Sequence, residues 1–212
     1  MTHGDRRIEI GKPQAMTVWT GFDFPARQGR YSNVKLRHKH FNGIDWDDKQ
    51  KQRGVYKFCD DQGNAKSWCE DVDPEFGNFD YLMFTNLCYD SVALRTEVMN
   101  WGIWIVRELG LSGFRLDAMK HMSRSFVLEF ITRMQKEFGR DFFILGEYWK
   151  WDSEFLADIA KKMEGRCRLY DTQLCYNLSD YSVGKRKDLR RVLEGTLVEI
   201  DSEHAVVSRN PA

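Results

Sequence analysis

Neither sign of charge is in excess, since the 212 residues carry 32 Lys+Arg and 32 Asp+Glu. A chain without net charge offers no electrostatic footprint for nucleic acid or an acidic membrane surface, and neither is expected as a partner. No apolar run approaches the ~20 residues of a membrane-spanning helix. The start, Met1-Thr2-His3-Gly4-Asp5-Arg6-Arg7, lacks the apolar stretch of a secretory leader. Cysteines at positions 59, 69, 88, 167 and 175 form no C-x-x-C and cannot all pair. Reduced thiols and a cytoplasmic setting are therefore expected. His3, His38, His40 and His204 have no Cys or acidic partners at metal spacing, so solvated or structural roles are expected of them. There is no internal repeat and no low-complexity tract. The length suits one domain, or one and a half.

Aromatic residues are plentiful, at 14% with seven Trp. Their faces stack on sugar rings, but most are expected in cores. Residues 1 to about 80 show few helical periods and read as short strands and loops. From Val92 the pattern changes. Leu94, Val98, Trp101, Ile105 and Leu109 give a helix stripe that ends near Gly110. A strand over 113–117, a helix over 123–138, a strand over 142–147 and a helix carrying Phe155, Ile159 and Met163 follow. A strand at 167–172, a helix near 186–194 and a last strand from Ala205 complete the pattern. Strands alternating with helices predict an α/β fold with a parallel sheet. The basic run Lys185-Arg186-Lys187 with Arg190 and Arg191 reads as an exposed helix face.

Two short runs carry the chemistry: Gly113-Phe114-Arg115-Leu116-Asp117-Ala118-Met119-Lys120-His121 and Gly146-Glu147-Tyr148-Trp149. Each ends a strand-like stretch with a carboxylate. Side chains alternate along a strand, so Arg115 and Asp117 share one face, and Phe114 and Leu116 the other. Neighbouring parallel strands would bring Asp117 and Glu147 to one mouth of a barrel. A carboxylate pair about 5–5.5 Å apart is what a retaining glycosidase uses, one as nucleophile and one as acid/base.

These runs resemble the second and third signatures of the α-amylase family of glycoside hydrolases (family 13). The stretches Trp19–Pro25, His40–Trp46 and Glu75–Phe84 look like the small inserted domain of its liquefying and fungal intracellular members. The resemblance implies an incomplete (β/α)₈ barrel, strands four to seven, with residues 1–80 as a β-rich insert and 81–212 as the catalytic part. It implies retaining endo-hydrolysis of α-1,4-glucosidic bonds in starch, glycogen or maltooligosaccharides. Asp117 would be the nucleophile, Arg115 would hold it ionised, and Glu147 would be general acid and then base. An apolar setting beside Tyr148 and Trp149 would keep Glu147 protonated. Lys120, His121, Tyr148 and Trp149 would meet the sugar chain. Asp80, Asn86 and the carbonyl of His121 would hold a calcium ion, although Asn86 and Cys88 stand where many relatives have Asp. No residue takes the family's third carboxylate, and the chain reads as a truncated, inactive form. An α-glucanotransferase of the same family, or a catalytically dead glucan-binding polypeptide, stands as the alternative.

Overall fold

A computed structural model describes residues 13–73 and 82–207. The chain divides inside a long helix into one unit ending at Trp101 and a second beginning at Gly102.

In the first unit, Phe41–Asp47 (β1), Gln52–Lys57 (β2) and Thr85–Leu87 (β3) form an antiparallel sheet in the order β2-β1-β3. Asp47 closes the β1–β2 turn, its Oδ1 accepting from the backbone of Lys49 at 2.9 Å and Gln50 at 3.2 Å. Phe41, Ile44 and Trp68 are buried. Gly43 is required here, because a Cβ would stand 2.0 Å from the Trp68 ring. Arg27, between the rings of Phe24 and Tyr31, bonds Glu97 at 2.7 Å and ties the 24–34 loop to Val92–Leu109 (α1).

His40 is 5% exposed, and its Nδ1 accepts from the Arg37 backbone N–H at 2.9 Å. Burial, helped by the charges of Lys39, Lys66 and Arg37, holds its pKa below the ordinary 6.5 and outweighs the upward pull of the Arg37 carbonyl. The unfolded chain therefore binds a proton at a pH where the folded one does not. The stability that His40 contributes is complete above pH ~6.5 and is lost as pH falls towards the folded-state value. We expect the thermal midpoint to drop on acidification below pH ~6.5, and less steeply in His40→Gln, as read by circular dichroism. Equal slopes would refute this.

In the second unit, Gly113–Leu116 (β4), Phe143–Gly146 (β5), Arg168–Tyr170 (β6) and Ala205–Val206 (β7) make a four-stranded parallel sheet in chain order. Arg124–Phe138 (α2) and Ser153–Lys162 (α3) follow β4 and β5. Each starts on a capping side chain, Ser123 accepting from Phe126 N–H at 3.2 Å and Asp152 from Phe155 N–H at 3.0 Å. Phe126, Val127, Phe130, Ile131 and Met134 of α2, with Leu156 and Ile159 of α3, are buried together with Ile144 and Leu169 of the sheet. Phe114 meets Phe130 at 5.8 Å and Phe142 at 5.6 Å between ring centroids. Full burial of each such side chain contributes about 1.5–3 kcal/mol. On the other face of the sheet, Arg115, Phe143 and Arg168 are exposed.

Two expectations fail in this unit. Thr172–Ser182 is a helix (α4) that the apolar period did not disclose, because its buried residues include Thr172 and Asn177. The helix expected near 186–194 is only a 3-10 turn at Leu189–Arg191. The carbonyls of Val192 and Glu194 accept from the Asn177 side chain at 2.8 and 3.2 Å, which draws them away from a helical ladder. A short helix, Leu197–Ile200 (α5), comes next. No helix among the described residues is long and apolar enough to cross a membrane.

Candidate active site

The pairing of β4 with β5 sets the site. Arg115 lies opposite Leu145 and Leu116 opposite Gly146, so Asp117 and Glu147 leave the two strands side by side. The ladder continues past the strand ends, with Glu147 N–H donating to the Leu116 carbonyl at 2.8 Å and Met119 N–H to the Glu147 carbonyl at 2.9 Å. Gly146 lets this happen: a Cβ would stand 2.7 Å from Met119 Sδ and 2.9 Å from Leu169 Cδ2. Ala118 has φ 48°, a left-handed conformation that costs energy in a residue with a side chain. Its N–H donates to Glu147 Oε2 at 2.9 Å, so the turn serves the carboxylate.

Arg115 joins the two acids. Its Nη1 contacts Asp117 Oδ1 at 2.5 Å and its Nη2 contacts Glu147 Oε1 at 3.0 Å. Burial works against the guanidinium charge, but the Glu147 and Asp117 carboxylates outweigh it and hold the Arg115 pKa above its ordinary value. The guanidinium also lies 5.9 Å from the centroid of Tyr170. Asp117 is open to solvent, its side chain 74% exposed, whereas that of Glu147 is 20% exposed. The surroundings of Glu147 are not apolar as expected: both oxygens face donors, one a cation and one a backbone N–H.

Lys120 Nζ donates to the carbonyl of Trp149 at 3.2 Å, which fastens the loop after β4 to the loop after β5. His121 ends the 3-10 turn Met119–His121 and is half-buried. Tyr148 corrects the expectation of a sugar contact. It is 1% exposed and packs against Phe155 at 5.8 Å, because the two-residue alternation sends it to the side opposite Glu147. Trp149 is half-buried, and its Nε1 donates to Tyr176 Oη at 3.1 Å. Tyr176, on α4, was not singled out by the sequence; it belongs to no motif, and α4 itself was missed.

Of the residues expected to hold calcium, Asp80 lies outside the described residues, as does His3. Asn86 lies on β3, where its Nδ2 donates to Asn42 Oδ1 at 2.8 Å. Among the described residues no group of three or more His, Cys, Asp or Glu could hold a metal ion. His204 does have an acidic partner, Asp201 at 2.9 Å, in a local contact three residues apart.

No family model matches the chain. Along nearly its whole length it is similar to curated proteins. It is 36% identical to the glucan 1,4-alpha-maltohexaosidase of Bacillus sp. (strain 707), over 95% of this chain and 39% of that protein. It is 38% identical to an alpha-amylase of Geobacillus stearothermophilus, over 92% of this chain and 35% of the other. It is 36% identical to the cytoplasmic alpha-amylase of Escherichia coli (strain K12), over 89% and 38%. The chain thus spans less than two-fifths of the length of these relatives.

Proposed function

The chain belongs to the α-amylase family of glycoside hydrolases, and from that premise we propose that it carries the carboxylate pair of a retaining endo-hydrolase of α-1,4-glucosidic bonds. The observation that carries this reading is the Arg115 guanidinium spanning Asp117 and Glu147 at the ends of adjacent parallel strands. The substrate class is an α-glucan: starch, glycogen or maltooligosaccharides.

Asp117, the more exposed acid, attacks the anomeric carbon and forms the covalent glycosyl-enzyme intermediate. Arg115 stands against it and offsets its charge. Glu147 gives a proton to the leaving oxygen and then takes one from water. Its Oε2 accepts from Ala118 N–H and its Oε1 faces Arg115. Lys120 and Trp149 line the mouth beside the pair.

We further propose that β4–β7 are the fourth to seventh strands of a (β/α)₈ barrel. Their parallel order and the exposed Arg115, Phe143 and Arg168 on the face away from the helices support this. Residues 1–80 would be the insert and 81–212 the catalytic part. The pairing of Thr85–Leu87 with β1 makes that a boundary of resemblance rather than of packing. A calcium ion held by Asp80, Asn86 and the His121 carbonyl is part of the same proposal.

The experiment is proton NMR of maltoheptaose incubated with the purified protein completed to the length of its relatives. Products appear first as the α-anomer and mutarotate afterwards. Products that appear first as the β-anomer, or a glucan left intact, would overturn the reading.

A further inference from the structure

The loop that leaves β5 is held at three points, and two of the holds come from outside the motifs. Lys120 Nζ donates to the Trp149 carbonyl and Thr172 Oγ1 to the Lys150 carbonyl. Both fix backbone. Neither restrains the Trp149 ring, which could still choose among rotamers. The Trp149 Nε1–H bond to Tyr176 Oη, 3.1 Å, is what sets the indole. The two rings meet at 71° with centroids 6.3 Å apart, forming a corner rather than a stack. Tyr176 remains 43% exposed and Trp149 half-buried, so this corner faces solvent two residues beyond Glu147. At 43% exposure Tyr176 leaves part of its apolar ring surface in water.

We propose that Tyr176 is a positioning residue for a glucosyl-binding corner that it forms with Trp149. A glucosyl ring has a C–H face and a hydroxyl rim. The C–H face lies on one aromatic face, while the polar edges of the corner meet the rim. The Tyr176 hydroxyl accepts from the indole and retains its own O–H for a sugar oxygen. Its own helix, α4, is capped by Asp171 at the end of β6, so the corner is mounted on the same sheet that carries Glu147. This proposal rests on the glucan-hydrolase reading and adds a residue to it.

The test is calorimetric titration of maltohexaose into the purified 212-residue chain and its variants, with NMR exchange of the Trp149 indole proton. Tyr176→Phe keeps the ring and removes the hydroxyl. We expect it to weaken maltohexaose binding about 2- to 10-fold, the scale of one lost hydrogen bond, and to speed exchange of the indole proton. Tyr176→Leu weakens binding further. If the wild-type chain binds and Tyr176→Phe binds equally well, the positioning role is overturned while the glucan reading stands. A lower melting midpoint with unchanged affinity also overturns it, since that is a purely structural role. No binding by the wild type overturns the glucan reading, and the corner's ligand with it.

Discussion

In the protein completed to the length of its relatives, Asp117→Asn and Glu147→Gln are each expected to lower hydrolysis of a dyed soluble starch at least ~10²–10⁴-fold, the usual scale for loss of a nucleophile or a proton donor. Both substitutions are nearly isosteric, and the fold should survive them. Asp117 is largely exposed and pairs with Arg115, so Asn leaves no buried group stranded. A Gln at 147 can still accept from Ala118 N–H through its oxygen, while its amide turns to Arg115. That places two donors together at a half-buried site, and the melting midpoint falls by a few degrees at most. Rates measured beside unfolding curves separate chemistry from stability. Turnover near that of the parent by either folded variant would remove both residues from the mechanism.

Asp171→Ala unfolds the second unit, or brings it close to unfolding. The Asp171 side chain is fully buried and serves two backbone donors. Its Oδ1 accepts from Leu174 N–H at 2.9 Å and caps α4, and its Oδ2 accepts from Val198 N–H at 2.8 Å in α5. Its backbone N–H also donates to Val206, which ties β6 to β7. Alanine leaves two buried N–H groups without acceptors, each costing about 1–3 kcal/mol. The sum is a large part of the ~5–15 kcal/mol by which a domain is stable. Asp171→Asn should lie between, since one oxygen still caps α4 while its NH₂ opposes Val198 N–H. Urea unfolding gives the order wild type, Asn, Ala. An alanine variant as stable as the wild type would mean that water satisfies these donors.

What the sequence made legible was whatever local period dictates. The alternation in Gly113–Leu116 placed Arg115 beside Asp117, and the 2.5 Å contact bears that out. The stripe of Phe126, Val127, Phe130, Ile131 and Met134 became the buried face of α2. The helix over Val92–Leu109 was readable in full. What stayed hidden depends on partners distant in sequence. Helix α4 buries Thr172 and Asn177, whose polar groups are satisfied by Lys150 and by Val192 and Glu194, so no apolar stripe announces it. An Asp171 cap could have signalled its start. Tyr148 packs against Phe155 instead of facing the site, because the strand's own alternation sends it away from Glu147. The contact of Trp149 with Tyr176 joins residues 27 positions apart, and no spacing rule reaches that far.

The most direct test of the central claim, that Asp117 attacks the sugar, is to trap the intermediate. A fluorinated glucosyl fluoride pairs a good leaving group with a ring whose electron-withdrawing fluorine slows release of the covalent adduct. Incubated with the purified protein completed to the length of its relatives, it should add one fluoroglucosyl mass to the peptide that contains Gly113-Phe114-Arg115-Leu116-Asp117. Fragmentation should place that mass on Asp117, and Asp117→Asn should acquire none. A label on Glu147 or elsewhere, or an unlabelled chain that still hydrolyses starch, would contradict the account.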